Sequence, residues 1–125
     1  MAKTALELTR EEWKAYDPGY HLRTNKALHD SKRRQQAWRV ARKAAKLLRE
    51  RFGARKVVVF GSLAHRAWFT ARSDIDLMAW GLGDQYFKAV AVVTGLSAQF
   101  KIDLLDPQMS APTLLKVVKR EGIEL

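Results

Sequence analysis

The chain predicts an α/β fold: a short mixed sheet with helices packed on one face. Three observations lead there. Short β-branched or alternating apolar segments occur at 56–60, 73–80 and 100–105. Segments with apolar residues spaced by three and four precede, separate and follow them. Glycine or Asp-Pro punctuates most of the junctions. An apolar sheet has to be covered, and interleaved helices are the usual cover, which suggests about three to five strands. At 125 residues and 47% hydrophobic content, one domain of this kind can bury about two thirds of its surface without staples.

Residues 1–30 show no clear periodicity. Thr9 and Glu12 have the spacing of a capping box, and Asp17-Pro18-Gly19 reads as a turn. From Ser31 to Phe52 the pattern is a long helix, capped by Asp30 or Ser31. Ala37, Val40, Ala41, Ala44, Leu47, Leu48 and Phe52 form its apolar stripe. Gly53 stops it. Lys56 to Phe60 reads as a buried strand by its run of valines. Gly61-Ser62 ends that strand, and Leu63 to Trp68 reads as a short helix. Ser73 to Trp80 is the second strand, with Ile75, Leu77 and Ala79 facing one way and Asp74, Asp76 and Met78 the other. Asp84 is expected to cap a helix reaching about Leu96. Phe100 to Leu105 is the third strand, closed by Asp106-Pro107. Pro112 opens a last helix that runs to Arg120 and stops at Gly122. This gives a basic helical N-terminal extension at 1–54 and a core at 55–125.

Charge is unevenly spread. The chain has 23 basic and 13 acidic residues, a net of +10. Residues 1–54 hold 14 basic and 6 acidic side chains and 55–125 hold 9 and 7, so the two parts carry +8 and +2. Such a field attracts phosphates, in nucleotides or nucleic acid, or an acidic protein. Cysteine is absent, which excludes disulfides and thiolate metal sites. Met1 to Leu8 has no secretory pattern, and the longest apolar run, Val57 to Phe60, is too short for a bilayer. A cytoplasmic protein with no membrane partner is expected.

The chemistry is concentrated in the core. Asp74 and Asp76 are two apart on a strand, so their carboxylates face the same way. Such neighbours repel each other unless a cation lies between them, and oxygen ligands favour magnesium or manganese. Asp103 lies in an apolar run on the third strand. If that strand neighbours the second, three carboxylates meet, a set able to hold two metal ions for in-line phosphoryl displacement. Gly61 lets the backbone approach a ligand, and Ser62 with the amides that follow suits phosphate oxygens. Singly, each has an ordinary explanation: a Gly-Ser turn, a solvated strand face, an edge-strand charge. The ordered set, with twelve positions from Ser62 to Asp74, points to a nucleotide site.

Val59-Phe60-Gly61-Ser62-Leu63-Ala64 followed by Arg72-Ser73-Asp74-Ile75-Asp76-Leu77 resembles the core motif of the minimal nucleotidyltransferases (MNT), antitoxin-type members of the DNA polymerase β-like superfamily. Lys101-Ile102-Asp103-Leu104-Leu105-Asp106 resembles their third-carboxylate strand, and Lys119 to Leu125 is similar to their ending. The resemblance covers about residues 55–125. It implies a polymerase β-like fold in which Gly61 and Ser62 contact the triphosphate. It implies that Asp74 and Asp76 bind the metal ions that carry ATP. Asp103 would complete the second metal site and help deprotonate the attacking hydroxyl. Catalytic and metal-binding residues would then be Asp74, Asp76 and Asp103, with two magnesium ions as cofactor and ATP as substrate. Asp106 reads as a strand-end cap. The family usually has a glycine shortly after the Gly-Ser, where this chain has Arg66, and the segment leading to Asp74 is one residue longer than its commonest form.

Many such enzymes pair with a helical HEPN-type toxin, so the resemblance implies an antitoxin that adenylylates a toxin tyrosine, with the basic half as a docking arm. A small-molecule nucleotidyltransferase acting on aminoglycoside-like acceptors is a second reading, with few spare acids to serve a cationic drug. A non-catalytic nucleic-acid-binding protein is a third, supported by the basic half with Trp13, Tyr20 and Trp38. His65 and Arg72 flank the Gly-Ser loop. Trp68, Phe69 and Trp80 are candidates for adenine stacking or for the core. His21 and His29 form no metal-ligand pattern.

Overall fold

The structure, a computed structural model, describes residues 20–65, 69 and 73–125, and for 20–30 the backbone alone. The expected Thr9–Glu12 cap and Asp17-Pro18-Gly19 turn lie outside the described residues, as do Trp13, Arg66, Trp68 and Arg72. Residues 1–32 and 33–125 are separate compact units.

The first helix, α1, runs Tyr20–Phe52 and so begins well before Asp30 and Ser31, which lie in its interior rather than at its N-terminus. Leu22, Arg23, Lys26, Ala27 and Leu28 are good helix formers, so propensity carries the helix where apolar periodicity is weak. At its other end Gly53 adopts φ 73°, a conformation costly for any residue with a Cβ, and Ala54 N donates to Leu48 O at 3.0 Å.

Strand β1 is Lys56–Phe60, β2 is Ile75–Trp80, β3 is Ile102–Leu105 and β4 is Ile123–Glu124. They form one four-stranded sheet in the order β3-β2-β1-β4. β1 is antiparallel to β2 and β4, whereas β2 and β3 run parallel. The parallel pair requires a crossover, supplied by helix α2, Tyr86–Thr94. Asp84 does not cap α2: it lies inside a 3-10 turn, Gly83–Gln85, that leads directly into the helix with no side-chain cap. Helix α3, Pro112–Glu121, begins at Pro112 and ends at Gly122 as expected.

Period-two alternation sorts the strands onto two faces. Val57, Val59, Ile75, Leu77, Ile102 and Leu104 pack on the larger core with Ala37, Ala41, Ala44 and Leu48 of α1 and Ala89 and Val93 of α2. The buried face of α1 is built largely of alanines, whose side chains take little room against the sheet. On the opposite face Val58, Phe60 and Met78 form a smaller cluster with Val118 of α3. The sheet is therefore covered on one face by α1 and α2 and partly on the other by α3. The carboxylates share the face that is only partly covered.

Candidate active site

Asp76 lies on the central strand β2. Its register partners are Phe60 on β1 and Asp103 on β3. Because β2 and β3 are parallel and in this register, residues of the same parity face the same side, which sets Asp76 and Asp103 side by side. Asp74 sits just before β2 rather than on it: the ladder closes where Ile75 N donates to Lys101 O at 2.9 Å, leaving Asp74 half-exposed beyond it.

Gly61 follows β1 and opens a 3-10 turn, Gly61–Leu63, at φ 71°. Two features make glycine necessary. The backbone is left-handed, and a Cβ would overlap Oδ2 of Asp76 and stand 3.3 Å from its Cγ. The turn is thus pressed against the carboxylate. Leu63, fully buried, anchors it from beneath, and Ser62 is half-buried within it. Of the short helix expected over Leu63–Trp68, the described part is this single turn.

Asp76 is half-buried, and its carboxyl is pushed up to about 6. Desolvation is the largest cause; the negative charges of Asp103 and Asp74 add to it, and Lys101 opposes them. Lys101 Nζ stands 3.8 Å from Asp103 Oδ1, an exposed pair of little energy. Asp103 and Asp74 therefore bear on the Asp76 carboxyl electrostatically, with one cation partly offsetting them.

The donor set fits a hard divalent cation in kind: carboxylates, with no thiolate. Among the described residues no three His, Cys, Asp or Glu side chains are closed around one point. Asp76 and Asp103 are register neighbours and Asp74 lies two residues before Asp76, so these three would hold such an ion after a change of side-chain rotamer.

Several contacts around the turn have no counterpart in the sequence pattern. His65 Nε2 and Glu121 Oε2 are 2.9 Å apart, joining the turn to the last residue of α3. The hydrogen bond from His65 is the main cause holding the Glu121 carboxyl below its ordinary range. His65 is thereby engaged with α3. Arg34 of α1 donates to Leu63 O at 3.4 Å. Asp106 accepts from Gln108 N at 2.8 Å and caps the turn Pro107–Met109, as expected of a strand-end residue. Phe69 is buried beside Phe100, with ring centroids 6.2 Å apart, and belongs to the core. Trp80 packs against the smaller cluster with Lys56 Nζ 5.1 Å from its ring centroid, at the opposite end of the β1–β2 pair from Asp76. The side chains of Tyr20, His21 and His29 lie outside the described residues.

No family model matches the chain, and no curated protein matches it. Solved structures do. A chain in a crystal structure of the toxin–antitoxin pair MntA-HpeT, in a tyrosine-to-alanine mutant, is 24% identical with a TM-score of 0.53; the match covers 67% of this chain and 69% of that one. A second crystal structure of the same pair, with two aspartates changed to glutamate, matches at 19% identity and a TM-score of 0.54, over 67% of this chain and 70% of the other. This likeness shows the fold: the chain shares the α/β fold of a chain of that toxin–antitoxin pair.

Proposed function

We propose that this chain is a metal-dependent nucleotidyltransferase that moves a nucleoside monophosphate, AMP from ATP, onto a hydroxyl acceptor. The observation that carries the reading is the registration of Asp76 with Asp103 on adjacent parallel strands, with the Gly61 turn pressed on Asp76. A phosphate-binding turn and a carboxylate cluster are the two halves such chemistry requires. The shared fold with a chain of the toxin–antitoxin pair MntA-HpeT supports the antitoxin side of this reading.

Each residue has a role. Gly61, lacking a Cβ, leaves the turn open to the triphosphate, and Ser62 offers its hydroxyl to a phosphate oxygen. Asp74, Asp76 and Asp103 would hold magnesium, as two ions, whose charge offsets that of the phosphates when bound. Asp103 accepts the proton of the attacking hydroxyl. The new oxygen–phosphorus bond forms at the α-phosphate as the α–β bridge breaks, and pyrophosphate departs with the bridging oxygen. The acceptor we infer is a tyrosine of a HEPN-type toxin, for which this chain acts as the antitoxin. That step rests on the motif resemblance and on the toxin–antitoxin pair that shares the fold.

The test is isothermal titration of ATP with magnesium into the wild type and Asp76→Asn, followed by incubation with labelled ATP and a candidate toxin. The wild type should bind in a magnesium-dependent way, Asp76→Asn more than about tenfold more weakly, and label should appear on one tyrosine. Equal binding by both proteins would overturn the role of Asp76. Binding without transfer to any protein would overturn the toxin acceptor.

A further inference from the structure

A groove of about 770 Å³ lies away from the carboxylates, along α1, bordered on its other side by β4 and by Ala64 after β1. Arg34, Arg42, Lys46 and Arg49 line it, with Trp38 among them. Arg34, Trp38, Arg42 and Lys46 recur every fourth residue, so they form a ridge on one helix face in steps of about 6 Å. Arg34 and Arg42 flank the indole, their guanidinium carbons 6.0 and 5.6 Å from its centroid.

These cations are poorly compensated. Arg49 is spent on the Leu125 carbonyl; the acids of the groove are Glu50, one turn beyond Lys46 at the end of the ridge, and Glu124 on β4, and neither forms an ion pair with Arg42 or Lys46 among the described residues. Among the described residues Arg42 and Lys46 have no ion pair, and Arg34, which reaches the Leu63 carbonyl through Nη2 at 3.4 Å, has no carboxylate partner and leaves Nε without a hydrogen bond. Like charges lined up along one helix repel one another and are relieved by a polyanion that spans them. A compact phosphate would meet only one or two of them.

We propose that this groove binds single-stranded nucleic acid, its phosphates along Arg34, Arg42 and Lys46 and a base against Trp38. Two features favour nucleic acid over an acidic peptide. The cations are mostly arginine, whose planar fork pairs with phosphate and stacks on bases. An aromatic ring set within a basic ridge is the usual platform for unpaired bases. The inference stands apart from the transfer reading, since the groove contains none of Asp74, Asp76 and Asp103.

The test is fluorescence anisotropy with a labelled 12-nucleotide oligo-uridylate over a salt series, using the full chain without ATP or magnesium. Three phosphate contacts give a slope of log affinity against log salt of about −2. Arg42→Glu/Lys46→Glu should weaken binding by at least about 25-fold at 0.1 M salt and flatten that slope to about −0.7. Lys88→Glu/Lys116→Glu, at exposed positions on α2 and α3, makes the same charge change and should retain most of the affinity. Circular dichroism confirms that both variants fold, and Trp38→Ala, which keeps the charge, reports stacking separately by weakening binding without changing the slope. Equal losses in the two charge variants would overturn the groove in favour of a diffuse basic field. Competition by a poly-glutamate peptide of equal charge, as effective as unlabelled oligo-uridylate, would overturn nucleic acid in favour of an acidic protein.

Discussion

Gly61→Ala offers a quantitative test of how the turn and the carboxylate fit together. The substitution adds a methyl at a backbone with φ 71°. The left-handed conformation costs a residue with a Cβ about 1–2 kcal/mol. The methyl would also overlap Oδ2 of Asp76 and sit 3.3 Å from its Cγ, whereas the Asp76 Cβ is 3.6 Å away, an ordinary contact. The steric part of the penalty therefore belongs to the carboxylate alone. Turning that carboxylate aside, toward Asp103 and Asp74, should cost a further ~1–2 kcal/mol. Gly61→Ala should then destabilise the wild type by about 2–4 kcal/mol, and an Asp76→Ala background by about 1–2 kcal/mol only. Urea unfolding of the four proteins of the cycle measures both values. A coupling below about 0.5 kcal/mol, or a Gly61→Ala that costs nothing, would refute the close approach of turn and carboxylate.

Two further outcomes follow from the same region of the fold. The folded-state value of the Asp76 carboxyl, about 6, lies above its ordinary 3.8, so the folded chain holds this proton more tightly than the unfolded chain. The stability linked to Asp76 is fully present below pH 3.8 and falls as pH rises through 6. A shift of that size is worth about 3 kcal/mol for a fully buried group, and partial exposure reduces it to about 1–2 kcal/mol. In matched urea titrations at pH 4 and 7 without divalent ions, Asp76→Asn should lack that loss and be the more stable protein at pH 7; parallel curves at both pH values would contradict it. On the other side of the sheet, Tyr86 donates its hydroxyl to Leu104 O at 2.7 Å, fastening α2 to β3. Tyr86→Phe should cost about 1 kcal/mol in urea unfolding and leave ATP binding unchanged, and a neutral substitution would mean that water replaces the bond.

Much of the fold follows from local chemistry that a sequence displays. The valine run of β1, the positive-φ glycines at 53 and 61, the Pro112 start and Gly122 stop of α3, and the Asp106 cap are each decided within a few residues. Period-two alternation also decides that Asp76 and Asp103 oppose the apolar residues of their strands. Alternation says which face a residue takes but not which strand lies beside it, nor in what register. That Asp76 meets Asp103, that Gly61 touches the Asp76 carboxylate, and that His65 reaches Glu121 depends on chain closure over tens of residues. Those contacts are selected by packing the whole sheet against α1, α2 and α3. The early start of α1 is not legible from periodicity because its first turns are rich in helix formers without a regular apolar stripe. The groove is illegible in the sequence for another reason: its basic ridge lies along α1, but its opposite wall, β4 and Ala64, is brought there only by long-range chain closure. Local chemistry thus specifies the parts and the faces they present. Which faces meet is specified only on packing, because strand order and register are set by the burial of the complete core and by no single segment.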